Sequence, residues 1–463
     1  MGIQKGLEDT IVALATPQGV GAIGVIRVSG TKAIILVDEF FSGKNLDKVA
    51  SHTVHFGRLQ DREGFTLDEV LVTVFRHPAS YTGEDSVEIS CHGSSYILEK
   101  VLTLLIEGGA RLAGPGEFTL RAFLNGKLDL SQAEAVADLI ASENVTSHRM
   151  AMDQMRGGIS KKIGGLRQQL LDFASLIELE LDFSEEDVEF ADRGQLKELL
   201  LTILHLVEEL MASFKLGNVL KKGINTVIAG RPNAGKSTLL NALLEEERAI
   251  VSPIAGTTRD TIEELLQIEG IPFRIIDTAG IREAEDAIEQ IGVERTMEKV
   301  RQSALVIYVF DVIATQPEQV REDITALQQE GIPMLVVANK MDLNPYTLPE
   351  HYLEPDQEGV VWVALSALNG MNIAHLKNEL VRQVTTGKGI MDTTLLSNAR
   401  HLEALMSTRE SLTAALRIME DGISSDFMAI EIRHALNHLG EITGEVSTED
   451  LLGNIFSNFC IGK

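Results

Sequence analysis

The chain has 463 residues, room for about three domains of ~150 residues each, and its 68 acidic against 41 basic residues give a formal net charge of -27. That acidity excludes broad, non-specific attraction to nucleic acid or an anionic membrane, so an RNA partner would need a local patch or a second protein to hold it. Two cysteines, Cys91 and Cys460, neither in a C-x-x-C pair, exclude a disulfide framework, and no apolar run approaches the ~20 residues that cross a bilayer. With no basic N-terminal region leading into an apolar core, the expectation is a cytoplasmic protein that is neither exported nor membrane-bound.

Residues 1 to about 118 alternate short β-branched runs with glycine and proline. Thr10–Ala15, Gly24–Ser29, Glu69–Phe75 and Ser86–Cys91 read as strands of an α+β domain. Gly19-Val20-Gly21-Ala22-Ile23-Gly24 satisfies G-x-G-x-x-G, but the run behind it reads as a strand, whereas a dinucleotide fingerprint opens a helix; no NAD or FAD site is expected.

From Phe118 the texture turns helical. Ser131 with Glu134 reads as a capping box, and Leu166, Leu170, Phe173 and Ile177, then Leu196, Leu199, Ile203, Leu206, Leu210 and Phe214, recur on one helical face. The acidic stretch between them, Glu178 to Asp192, reads as a solvated helix end or loop in preference to a metal site.

The helical pattern stops near Leu216 and resumes near Leu395, where Leu402, Leu405, Leu412, Leu416 and Met419 keep one apolar face. Between these points Thr226–Ala229, Phe273–Asp277, Leu305–Phe310, Met334–Ala338 and Val361–Leu365 read as strands alternating with helices, the pattern of a doubly wound parallel sheet. The expected fold is therefore multidomain α/β: an N-terminal α+β domain over 1–118, a discontinuous helical domain over 119–217 and 385–463, and an α/β domain inserted at 218–384.

After Ala229 stands Gly230-Arg231-Pro232-Asn233-Ala234-Gly235-Lys236-Ser237, a complete G-x-x-x-x-G-K-[ST] element between a strand and a helix that opens at Thr238. Phosphates need closely spaced backbone N–H donors and a helix N-terminus; the glycines allow the approach, Lys236 neutralises the β and γ oxygens, and the Ser237 hydroxyl can ligate magnesium. Asp277-Thr278-Ala279-Gly280 then offers a carboxylate for the metal and a glycine N–H for the γ-phosphate. In Asn339-Lys340-Met341-Asp342 the last carboxylate can accept two hydrogen bonds from guanine, a donor pair that adenine lacks, which selects GTP. The adjacent threonines of Ser252-Pro253-Ile254-Ala255-Gly256-Thr257-Thr258 suit a switch loop, with Thr258 as a second magnesium ligand.

The residue after the Asp277–Gly280 element, where Ras-like GTPases place a water-orienting glutamine, is Ile281, so another group must orient the attacking water. Asn233 and the Gly-Thr-Thr-Arg-Asp segment resemble GTPases that recruit potassium, a cation that can supply the charge an arginine finger supplies elsewhere.

The motifs extend through the whole chain. Asp9-Thr10-Ile11-Val12-Ala13, Gly24-Val25-Ile26-Arg27-Val28-Ser29-Gly30, Tyr81-Thr82-Gly83-Glu84-Asp85, Gly114-Pro115-Gly116-Glu117-Phe118, Asn125-Gly126-Lys127-Leu128-Asp129-Leu130 and Phe459-Cys460-Ile461-Gly462-Lys463 resemble the MnmE (TrmE) family of tRNA modification GTPases. The resemblance implies a Ras-like P-loop GTPase domain inserted in the helical domain, a base pocket completed by Ser366-Ala367-Leu368, and a potassium site of Asn233, Ser252, Ile254 and Thr257. It also implies Glu289 as the catalytic glutamate, though spacing alone reads Glu289 as a solvated helix residue. The N-terminal domain would bind (6S)-5-formyl- or 5,10-methylene-tetrahydrofolate through Arg27, Glu88, Lys127 and Lys463, each of which alone reads as a surface charge, and would form a homodimer.

Cys460 alone reads as a buried small hydrophobe; the resemblance favours a part in the modification reaction. The implied activity is GTP hydrolysis coupled, with an FAD-dependent partner (MnmG, also called GidA) in a heterotetramer or larger complex, to building a (carboxymethyl)aminomethyl group on the tRNA wobble uridine. Two other readings stay open at this level: a ribosome-assembly switch GTPase, and a folate-dependent one-carbon transferase regulated by its GTPase domain.

Overall fold

The computed structural model describes residues 9–142, 144–182, 192–245, 263–277, 298–301, 303–328, 331–353, 359–385, 395–422, 424–457 and 459–462. They fall into two compact units: Met1–Ala141 with Ala151–Glu209 and Ala399–Lys463, and Ser142–Met150 with Leu210–Asn398.

The first unit contains a seven-stranded sheet of β1 (Ile11–Leu14), β2 (Ile23–Ser29), β3 (Phe41–Ser42), β4 (Thr53–Gln60), β5 (Thr66–Phe75), β6 (Ser86–His92) and β7 (Arg111–Leu112), in the order β3-β4-β5-β6-β2-β1-β7. All pairings are antiparallel except β1 with β7. Val70, Val72 and Val74 alternate inward on β5 and are buried, and the helices Ala33–Phe40 and Ser95–Glu107 lay Val37, Leu98, Val101 and Leu105 on that face. Each such side chain contributes roughly 1.5–3 kcal/mol by leaving water. The four expected strands are present, and β4 joins them. Its alternation is inverted: Val54 and Phe56 face solvent, 57% and 66% exposed, while Gly57 and Leu59 turn inward, so apolar patterning does not mark it.

In the helical part of the unit, Ser131 and Glu134 do not form the expected capping box. The N-cap of helix Leu130–Ile140 is Asp129, whose carboxylate accepts from the Gln132 N–H at 2.8 Å while the Gln132 side chain accepts from the Asp129 N–H at 2.9 Å. Ser131 is the second residue of the helix and Glu134 lies a turn in, and both are buried. Helix Ser425–Thr443 packs against both Ala399–Glu420 and Gly158–Asp182, the last burying Leu170 and Ile177. Of the acidic stretch, Glu178 pairs with Arg433 and the buried Glu180 with Arg193, while 183–191 lie outside the described residues. Helix Arg193–Lys222 runs past Leu216, and helix resumes at Ala399.

The second unit is built on six strands, β8 (Ile224–Ala229), β9 (Glu263–Ile268), β10 (Ile271–Asp277), β11 (Leu305–Asp311), β12 (Met334–Asn339) and β13 (Val360–Ala364), in the order β13-β12-β11-β8-β10-β9. The five expected strands are parallel; β9 is an antiparallel addition, joined to β10 through Glu269 and Gly270, both at positive φ. Such a two-residue turn matches the twist of the strands it joins. Every residue of β11 and β12 is buried, because apolar clusters cover both faces of the sheet. Among the described residues no helix is long and apolar enough to cross a membrane.

Candidate nucleotide-binding site

In the second unit β8 lies between β10 on one side and β11 on the other, so the chain leaving β8 turns first to one half of the sheet and then to the other. A crevice opens at such a switch point, outside the carboxyl ends of the parallel strands. The Gly230–Ser237 loop occupies it. Gly230 has φ +147° and a Cβ there would run into the Val309 carbonyl; Gly235 has φ +95° and a Cβ would run into the Asn339 amide. Both positions therefore require glycine. Asn233 adopts φ +62°, a left-handed conformation that asparagine tolerates.

Helix Lys236–Glu245 begins directly from the loop, presenting its first N–H groups and the exposed Ser237 and Thr238 at the crevice. The Lys236 ammonium donates to the carbonyls of Gly230 and Arg231 at 2.8 and 2.9 Å, which holds it across the loop where phosphate oxygens would bind. A second tie comes from outside the loop: the Arg231 guanidinium bonds both oxygens of Asp323 at 2.8 and 3.1 Å, and the Tyr308 hydroxyl donates to Asp323 at 2.7 Å. Burial and the Asp323 charge push the Tyr308 phenol well above its ordinary range, so it stays a donor.

Asn339, at the end of β12 and 2% exposed, joins three loops through one amide. Its Nδ2 donates to the Ala234 carbonyl at 2.9 Å, while Oδ1 accepts from the N–H groups of Lys340 at 2.8 Å and Ala367 at 3.0 Å. The phosphate loop, the Asn339–Asp342 segment and the Ser366–Leu368 segment are thereby held together. Ser366 is fully buried and Ala367 nearly so, whereas Leu368 and Asp342 are exposed at the rim.

Asp311 had no assigned part. It ends β11 opposite Asn339, and its carboxylate accepts from the Lys340 ammonium at 2.6 Å and from the Ile313 N–H at 2.8 Å. Burial raises its pKa, but the hydrogen bond and charge of Lys340 with the Ile313 and Ala314 N–H groups outweigh that and hold the carboxyl below its ordinary range. The signal available in the sequence was positional: an aspartate closing an apolar strand, as Asp277 closes β10.

The backbone of Asp277 is paired with Ile228, one residue before the loop-bearing end of β8. The remaining expected residues, Ser252, Pro253, Ile254, Ala255, Gly256, Thr257, Thr258, Thr278, Ala279, Gly280, Glu289 and Lys463, lie outside the described residues.

Three other candidates lie in the first unit. Arg27 and Glu88 are cross-strand partners on β2 and β6, bonded at 2.8 and 3.0 Å, with the Arg27 guanidinium 5.4 Å from the Tyr81 ring centre and 5.7 Å from that of Phe118. Lys127 donates to the Pro78 carbonyl at 3.0 Å and its stem passes Gly83, so Arg27, through Tyr81, and Lys127 both border the loop of residues 78–83. Beside them, the fully buried Arg121 binds Glu84, Glu117 and the Asp9 carbonyl. Only its Glu117–Arg121 pair, four apart on one helix, is local; the contacts to Glu84 and Asp9 are not.

Cys460 is exposed, correcting its reading as a buried hydrophobe. The reason is the tail around it: its carbonyl accepts from the Gly116 N–H at 3.3 Å, Ile461 bridges to Pro115, and Gly462 packs on the Leu14 carbonyl. Cys91 is the buried thiol, pushed up to about 11 by burial and by the Asp68 charge, hence inert.

Known proteins resemble this chain over nearly its whole length. The family described as the MnmE helical domain matches residues 130–460, and that described as the GTP-binding protein TrmE N-terminus matches residues 10–127. The chain is 55% identical over 455 residues to the tRNA modification GTPase MnmE of Cytophaga hutchinsonii, covering 98% of each chain. It is 52% identical to that of Christiangramia forsetii, over 99% of this chain and all of the relative. Identity to that of Bacteroides thetaiotaomicron is 47%, over 98% of this chain and all of the relative.

Proposed function

The chain belongs to the MnmE family of tRNA modification GTPases, and from that premise we propose a potassium-dependent GTPase that, with an FAD-dependent partner, adds a (carboxymethyl)aminomethyl group at the 5-position of the tRNA wobble uridine. The observation that carries the GTPase half is the Asn339 amide, which ties the phosphate loop to both base-recognition segments. Phosphates lie on the Gly230–Ser237 loop under Lys236, and guanine is read by Asp342 against the Asn339, Lys340 and Ala367 frame.

The donor set fits magnesium: hard oxygens from Ser237 at the first helical turn and Asp277 at the adjacent strand end, with Thr258 from the switch segment. When bound, the ion neutralises charge developing on the β and γ phosphates. Asn233, Ser252, Ile254 and Thr257 hold potassium, and Glu289 orients the attacking water.

In this reading the domains are 1–118 for folate binding and dimerisation, 119–217 with 385–463 as the helical domain, and 218–384 for GTP. A tetrahydrofolate carrying the one-carbon unit lies near Arg27, Glu88, Lys127 and Lys463, and the protein works in the cytoplasm as a homodimer joined by its FAD-dependent partner. Cys460, exposed on the tail, takes part in the modification step.

The deciding experiment is the steady-state GTPase rate in potassium against sodium, with Asn233→Ala and Glu289→Ala alongside. A large potassium activation that Asn233→Ala removes, with turnover lost in Glu289→Ala, is expected. Equal rates in the two salts would defeat the cation-assisted mechanism.

A further inference from the structure

One stretch runs against the sign of the whole chain. Residues 145–168 hold five cations, Arg149, Arg156, Lys161, Lys162 and Arg167, against one carboxylate, Asp153, in a protein of formal net charge -27. Arg149 falls in the second unit, and Arg167 is engaged by Glu445 and the Leu436 carbonyl. Arg156, Lys161 and Lys162 lie in the first unit, are exposed, and make no ion pair among the described residues.

The surface they occupy is rigid. Gln132 donates to the Met155 carbonyl at 3.0 Å and Gln154 to the Ser131 carbonyl at 2.9 Å, which seats the turn carrying Arg156 on helix Leu130–Ile140. The loop before that helix carries the exposed Lys127. Of the nearby carboxylates, Asp129 caps that helix, and the exposed Asp153 lies close to Gly158 at the start of helix Gly158–Asp182.

That second helix buries Ile159, Ile163, Leu170, Ala174 and Ile177 along one side. Lys161, Lys162, Gly165, Gln168 and Gln169 are exposed. Gly164 and Gly165 weaken the helix they sit in, yet an added Cβ at either meets nothing within 4 Å. Nothing in the fold asks for glycine there, and the bare backbone at both positions is open to close approach by a partner.

We propose that the face bearing Arg156, Lys161 and Lys162, with the bare helix surface at Gly164 and Gly165, receives the phosphate backbone of tRNA. The proposal rests on the reading that this protein acts on tRNA, and it answers how a strongly acidic chain holds a polyanion: through one local cationic ridge. Fixed cations flanking bare backbone suit a phosphodiester strand, which is read by charge and close approach and not by sequence.

The test is binding of the full-length protein to fluorescently labelled, unmodified tRNA from about 50 to 200 mM KCl. The variants are the Lys161→Gln/Lys162→Gln double substitution and Gly165→Ala. Each lysine that contacts phosphate contributes about 1 to the slope of log affinity against log salt, so the double variant is expected to lose about 2 from that slope and about tenfold in low-salt affinity. Its GTPase rate should not change.

Gly165→Ala is expected to raise the melting temperature and still weaken tRNA binding, a combination that loss of folding cannot produce. Wild-type binding with unchanged slope and affinity in the variants overturns the face while leaving the tRNA reading intact. Absence of wild-type binding throughout the salt range overturns the ridge and leaves the tRNA to be held by the FAD-dependent partner. A double variant that keeps tRNA affinity but no longer associates with the FAD-dependent partner assigns the ridge to protein docking and overturns the proposal.

Discussion

Each unit contains a buried polar residue that ties three segments together, and the two nodes are built from different chemistry. In the second unit Asn339 uses a neutral amide, donating to Ala234 and accepting from Lys340 and Ala367. In the first, Glu134 accepts from Arg400 at 2.9 Å through each oxygen and pairs with His401 at 2.8 Å, while Arg400 also donates to the carbonyls of Glu441 and Ile442. That node joins helices Leu130–Ile140, Ala399–Glu420 and Ser425–Thr443.

A neutral amide whose bonds are met costs little to bury and does not titrate. A buried carboxylate is stable only while its cations face it. The Asn339 node is thus indifferent to pH, whereas the Glu134 node depends on it.

The sharpest way to separate the nodes is to remove the charge from one. Glu134→Ala removes the carboxylate that the partly buried Arg400 and the fully buried His401 both contact and is expected to destabilise the first unit by about 3–5 kcal/mol, measured by denaturant unfolding. Nucleotide affinity of the folded fraction should be unchanged. Acid should act in the same place. Burial raises the Glu134 pKa, but the hydrogen bonds and charges of His401 and Arg400 outweigh this and lower it from 4.5 to about 2. A depressed carboxylate contributes its stability above the unfolded value and loses it as pH falls, so ~3 kcal/mol should disappear between about pH 4.5 and 2. Glu134→Gln should flatten that part of the profile, and an unflattened profile would place the acid sensitivity elsewhere.

Next in size is Asn339→Ala. It strands the Ala234 carbonyl and the Lys340 and Ala367 N–H groups, so the phosphate loop and base segments lose register; about 2–4 kcal/mol of GTP affinity should go, read by titration with a fluorescent nucleotide. The unfolding of the first unit should not respond. Asp311→Asn probes the same frame more gently. Lys340 adopts φ +67°, and losing the carboxylate that holds its ammonium should weaken GTP by about 1–2 kcal/mol, less than Asn339→Ala. A larger loss would make Asp311, not Asn339, the organising residue.

These contrasts also explain what could be read without the structure. The phosphate loop was legible because its geometry demands particular residues: Gly230 and Gly235 hold positive φ where any Cβ collides, so the backbone writes itself into the motif. The parallel strands were legible because burial on both faces leaves continuous apolar runs. Strand β4 was not, since Val54 and Phe56 point to solvent, and neither was β9, an antiparallel addition on the edge of an otherwise parallel sheet. The capping box was displaced by two residues because Asp129 competes better than Ser131 for the same N–H groups, and Glu134 already serves a partner 267 positions away. Of the Arg121 contacts only the pair with Glu117, four residues away, is local; those to Glu84 and Asp9 span 37 and 112 positions.

The smallest structural effect should accompany one of the most informative functional results. Cys460 is exposed, and what fixes its segment is backbone: the Gly116 N–H on its own carbonyl, the Ile461 bridge to Pro115, and the close approach of Gly462 to Leu14. Cys460→Ser touches none of these, so stability should stay within about 0.5 kcal/mol of wild type. A thiol displayed at no cost to the fold is free to be used for chemistry. Loss of wobble-uridine modification in cells carrying Cys460→Ser, at unchanged protein level and unchanged GTPase rate, would place it in the reaction; full modification would leave its backbone as the tail's contribution.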